Sequence, residues 1–215
     1  MSVATEPRAG EPVARGVSKG RVEALSDGVF AIVVTLLVLE IKVPHVADHG
    51  SIAELANALG TLAPKFVSWV ISFATVCVIW LNHHRLFMRI GRLDNALFWL
   101  NANLLLWTSF IPFPTALMGD YPGNRLAASF YGIVMLLMAF AFVLMRWRLH
   151  RHDGLLQDGA DRELFRQGTR RSVWMGPVAY GIGAGLAWVF PPAAFVCYAA
   201  IAAYFVLPRD ARAKP

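Results

Sequence analysis

Few residues in this chain could do chemistry, and most of them lie at the ends of two apolar runs. Asp27 stands about one turn inside the first run; from Ala24 to Ile41 the only other formal charge is Glu40, near the far end. An ionisable side chain at that depth is costly in a membrane unless it meets a partner or water, so Asp27 reads as facing protein or an aqueous vestibule. The plainer alternatives are a carboxylate snorkelling at the interface and a first-turn acid favoured by the helix dipole. Arg21 and Ser26 precede it on the same helix. The second polar cluster, Trp80-Leu81-Asn82-His83-His84-Arg85, closes the next apolar run. Adjacent helical residues point about 100° apart, so His83 and His84 cannot easily ligate one metal ion. One of them, with Trp80 and Asn82, is expected to hydrogen-bond a neighbouring helix; simple anchoring at the interface is the alternative.

No Ser/His/Asp arrangement, phosphate-binding loop, zinc spacing or pair of catalytic carboxylates occurs elsewhere. An enzyme is therefore not expected, nor is a cofactor. Cys77 and Cys197 fall inside apolar runs, where cysteine behaves as a small apolar residue. The run Tyr180-Gly181-Ile182-Gly183-Ala184-Gly185 has the glycines of a carbonyl-lined potassium filter but not the T-V-G-Y-G order. It lies in a stretch long enough to be a continuous helix, so close packing through Gly181 and Gly185 is expected. If such a chain conducts ions, its narrow point is built from side chains. Leu25, Val29, Ile32, Leu36, Leu39 and Val43 recur at alternating spacings of four and three, the pattern of a helix face that meets other helices. Within that seam Ile32, Leu36 and Leu39 lie on successive turns. Repeated around an axis, they would form stacked apolar rings that favour the ion shedding water at least cost, potassium before sodium.

The elements that must position these residues follow from composition. Of 215 residues 57% are hydrophobic and 16% charged, with mean hydropathy +0.51, which indicates an all-α, polytopic membrane protein. Six spans are expected: 21–43, with its apolar core from 24 to 41, then 62–85, 93–117, 126–145, 172–190 and 193–207. Asn95, Asn101 and Asn103 in the third require partners from neighbouring helices, which places that span inside the bundle. Ser51 and Glu54 have the spacing of a capping box opening a short amphipathic helix. Residues 1–20 and 209–215 read as tails flanking a membrane domain 21–208, with the first helix as an uncleaved signal anchor. With six spans, 17 of the 20 Lys and Arg fall on the side of the termini; only Lys42, Lys65 and Arg125 lie opposite. That asymmetry predicts an inner-membrane or plasma-membrane protein with both termini and the basic loop 146–171 in the cytoplasm. Beside a span, the loop faces anionic headgroups rather than nucleic acid.

The order Arg21-x-x-x-Leu25-Ser26-Asp27-Gly28-Val29-Phe30-Ala31-Ile32, followed by Thr35-Leu36-Leu37-Val38-Leu39, resembles the motif that opens the first helix of the transmembrane protein 175 family. These are potassium channels of lysosomes and, in a shorter form, of bacteria. Leu25 stands where the family usually has Phe, a swap that keeps the position apolar. The resemblance is strongest over residues 21–43 and weaker at 80–87. It implies a homotetramer with the first helix lining a central pore, Ile32 at the constriction, and potassium as the permeant species. It also implies a network in which Trp80, Asn82 and His83 brace Arg21, Ser26 and Asp27. A secondary cation or proton transporter using Asp27 is the alternative; against it, residues 126–207 carry no second copy of the motif found in 22–118.

Overall fold

The computed structural model describes residues 18–157 and 162–206, and the side chains of 18–157 and 176–203. The expected tails lie largely outside those residues, as do the side chains of Arg162, Arg166, Arg170 and Arg171. Among the described residues every regular element is helical. Helix α1 spans Lys19–Leu39, α2 Ile52–Thr61, α3 Ala63–Phe87, α4 Asn95–Phe110, α5 Pro112–Asp120, α6 Arg125–Arg151, α7 Arg162–Val189 and α8 Pro191–Val206.

Local sequence explains where these helices begin and end. The Asp94 carboxylate accepts from Leu97 N–H at 2.7 Å and opens α4, while Asn124 accepts from Leu126 and Ala127 N–H and opens α6. Pro112 has no N–H to continue α4, so the third run is two helices that break at Ile111. Only half of the expected capping box forms. Ser51 Oγ accepts from Glu54 N–H, but Glu54 turns back to the N–H of Asp48. The first helix ends at Leu39, where Lys42 Nζ donates to the Leu39 carbonyl. Val43 therefore lies past the helix, and the expected seam stops four residues short of it.

Among the described residues four stretches are long and apolar enough to cross a membrane: Lys19–Leu39, Ala63–Phe87, Asn95–Asp120 and Arg125–Arg151. The fourth outruns the expected 126–145, because the helix continues through the basic residues to Arg151; α7 likewise begins at Arg162, so much of the expected loop 146–171 is helical. Helix α3 packs on α1, α5 and α8, and α6 on α4, α5, α7 and α8. The core between them includes Leu86, Phe87, Leu104, Ile111, Met118, Met135 and Tyr131.

The small residues that permit close approach are not the expected pair. A Cβ on Gly181 or Gly185 would meet nothing within 4 Å. A Cβ on Gly183 would lie 2.5 Å from Cε1 of Tyr198, and one on Gly132 would lie 2.9 Å from Cβ of Ala184. The packing stripe of α7 is thus Gly176, Tyr180, Gly183 and Ala187, at spacings of four and three, and not the glycines four apart. The aromatic ring of Tyr198 on α8 selects that register.

Candidate functional site

Helix α1 has two distinct sides. Val22, Ser26, Phe30, Val33 and Leu37 form one stripe, buried against α3, α4 and α5. On the other side, Leu25 is 53% exposed, Ile32 58%, Leu36 40% and Leu39 60%. The expected pore residues therefore share a face that this protomer leaves uncovered. Thr35, which the motif also contains, is exposed close to that face. Its hydroxyl donates to the Ile32 carbonyl at 2.8 Å, and its oxygen can still accept from water.

The motif is braced from its buried side by a chain of three residues on three helices. Ser26 Oγ donates to the Val22 carbonyl at 2.8 Å and accepts from Nδ2 of Asn101 at 3.0 Å. The amide oxygen of Asn101 lies 2.9 Å from Nε2 of His83. A carbonyl oxygen only accepts, so in this arrangement the ring proton sits on Nε2. His83 is held between two rings, with Phe87 at 4.3 Å and Phe30 at 5.4 Å between centroids. Ser26, His83 and Asn101 are all buried. A separate bond joins the next motif residue, as Nε1 of Trp80 donates to Asp27 Oδ1 at 2.8 Å, with His84 stacked on the indole.

Two of the six residues expected in one network stand apart. Arg21 is exposed, and its side chain makes none of these bonds. Asn82 faces away from α1 into a cavity shared with Arg146. The 100° step between neighbouring helical positions sends Asn82 and His83 to different partners. Asn101 is the member that sequence reasoning left out of the site, although its depth had marked it as needing partners. Among the described residues no group of three or more His, Cys, Asp or Glu could hold a metal ion.

A second buried polar contact ties the bundle together beyond the motif. Thr115 Oγ1 donates to Ser72 Oγ at 2.7 Å, and Ser72 donates to the Tyr131 hydroxyl at 3.2 Å. Ser68, Ser72 and Thr75 share one buried face of α3. Spacings of four and three were visible in the sequence and would have revealed it. At the basic end, the turn after α3 is joined to the segment after α6. Gly91 and Arg92 N–H donate to the Leu155 carbonyl, and Gln157 N–H donates to that of Arg89. Arg148 pairs with Asp94 beside this junction. Partial burial pushes the Asp94 carboxyl up, but hydrogen bonds from Arg148 and Leu97 outweigh it and hold the group below its ordinary value.

A set of apolar helices, an uncovered face on the first of them and a polar brace behind it define a multi-pass membrane protein built around its first helix. Residues 21–112 match the family described as endosomal/lysosomal potassium channel TMEM175. A potassium channel of Chamaesiphon minutus is 40% identical over 203 residues, covering 89% of this chain and 95% of the relative. One of Streptomyces collinus is 38% identical over 190 residues, covering 86% and 90%. The crystal structure of a lysosomal potassium-selective channel TMEM175 homolog from Chamaesiphon minutus superposes with a TM-score of 0.77 at 36% identity, covering 87% of this chain and 95% of that one. The chain belongs to the TMEM175 family, a family of ion channels and not of enzymes.

Proposed function

We propose that this protein is a potassium-selective channel, a homotetramer in which the uncovered face of α1 lines a central pore. The observation that carries the reading is the exposure of Leu25, Ile32, Leu36 and Leu39 on a helix whose other side is packed. A single copy leaves about half of each of these side chains uncovered, and a ring of copies would cover them around an axis, as closed symmetry allows. Ile32, Leu36 and Leu39 then form stacked apolar rings, with Ile32 nearest the braced motif and tightest. Such a ring offers an ion no oxygen ligand, so passage depends on partial dehydration, which is cheaper for potassium. Two bacterial relatives named as potassium channels support the choice of ion. The asymmetry of the basic residues supports cytoplasmic termini, with α7 and α8 as spans five and six.

Replacing Ile32 with Asn puts amide groups around the axis, stabilises water there and lowers the penalty for sodium. Reversal potentials under potassium/sodium gradients should show reduced potassium preference with conductance held or raised. Val33 cannot serve as the control, because it is 1% exposed and packs in the bundle. Val38 is 46% exposed and about 120° round the helix from Ile32, so Val38→Asn should leave selectivity unchanged. Altered selectivity in Val38→Asn with none in Ile32→Asn would put the wrong face on the pore.

A further inference from the structure

We infer that each protomer holds one anionic phospholipid at the basic end of the bundle, its phosphate against Arg146 and Asn82. The site is a slot of about 100 Å³ between α3, α6, α7 and α8. Along α3 it extends from Thr75 to Asn82, and along α6 from Met138 to Arg146. At 1.5 Å per residue it is about 10–12 Å long and runs parallel to the helices. Its residues are graded in exposure. Asn82, Phe142, Arg146 and Gly176 are half-buried, whereas Thr75, Ile79, Tyr180 and Ala202 are buried. The slot therefore opens at the basic end and closes in the middle of the bundle.

Depth and charge together select the ligand. Arg146 is the first charged residue after the apolar run 126–145, so it stands at the edge of the hydrocarbon, where lipid phosphates lie. A second cation, Arg89, acts on it from the α3 side. Behind this polar mouth the walls are apolar, made by Val78, Ile79, Met138 and Phe142. At the closed end Thr75 donates to its own helix, at the Ile71 carbonyl. A headgroup at the mouth with the start of an acyl chain behind it matches that order. Arg binds phosphate through several N–H groups at once, and the Asn82 amide supplies a further donor. A zwitterionic lipid carries its own cation to the same place and is disfavoured by the two arginines.

The test uses the purified full-length chain in detergent. Phosphatidylglycerol, phosphatidylcholine or inorganic phosphate is titrated in, thermal unfolding is followed, and co-purified lipid is counted by mass spectrometry. Phosphatidylglycerol should raise the unfolding temperature and remain bound, and Arg146→Gln should weaken its apparent affinity by about tenfold, the loss of one charged hydrogen bond. Arg85→Gln removes the same charge at an exposed position outside the slot and should change nothing. Should Arg146→Gln fail to fold, Asn82→Leu is the variant read, with the same direction expected. Equal loss in Arg85→Gln would reduce the effect to general surface charge and overturn the site. So would equal stabilisation by phosphatidylcholine, which shows no headgroup selection. An equal response to inorganic phosphate would mean a free-anion site and not a lipid one.

Discussion

Asn101→Leu tests the brace behind the first helix most directly. Leu is close to Asn in size, and the site is 1% exposed, so the change removes polar groups without opening a large space. Two bonds are lost, and their consequences differ. Ser26 keeps its bond to the Val22 carbonyl and loses only an accepted bond. His83 is left with its Nε2–H unpaired at 2% exposure. A buried donor left without a partner costs about 1–3 kcal/mol in soluble proteins, whereas polar pairs between membrane helices average only about 0.6 kcal/mol. The expected destabilisation is therefore about 1–2 kcal/mol, most of it at His83. Equilibrium unfolding of purified protein, followed by tryptophan fluorescence, measures it. Adding His83→Leu removes the unpaired donor, so the double variant should be more stable than the sum of the two single changes predicts. Strict additivity, or an Asn101→Leu protein indistinguishable from the parent, would mean that this chain of bonds does not hold α1 in place.

Three further outcomes are expected. Asp27→Asn leaves the Trp80 indole an amide oxygen to donate to, so it should cost under about 1 kcal/mol and leave reversal potentials unchanged; a shift in ion preference would make Asp27 an ion site, as the transporter reading requires. Gly183→Leu drives a side chain into the Tyr198 ring and should cost about 1–3 kcal/mol or more in thermal unfolding, while Gly181→Leu, which meets open space, should be near neutral. In a cysteine-free background, a membrane-impermeant thiol reagent applied from outside should label a Cys at Gly50 but not one at Gly154, and the reverse pattern would invert the proposed topology.

What could be read from the sequence depended on how many residues shared each signal. The apolar runs summed over about twenty positions each, so four of the expected spans stand in the structure as helical stretches of spanning length, the third of them broken at Ile111. Single contacts were harder. The glycines at 181 and 185 had the familiar spacing, but the ring of Tyr198 on another helix determines which glycine is used. Spacing within one helix carries no information about where a bulky residue on its neighbour will fall. The grouping of Arg21 and Asn82 with the brace failed for a related reason. A shared level along the helices does not specify rotation about the helix axis. Asn82 has the depth of His83 and faces Arg146 instead.

Rotation is also what the opening motif supplies to the first helix. Leu25, Ser26 and Asp27 are consecutive, so their side chains point about 100° apart and reach three different surroundings. Ser26 enters the bundle and meets Asn101, Asp27 meets the Trp80 indole, and Leu25 is left on the uncovered face. Two polar anchors in different directions fix the rotation where one would leave it free. Seven residues on, the face of Leu25 returns as Ile32, then as Leu36 and Leu39. A turn of the helix by one residue's angle, carrying Ile32 to the direction of Val33, would bury Ile32, and it would break both anchors to do so. The polar motif thus determines which apolar residues are left on the uncovered face of the first helix.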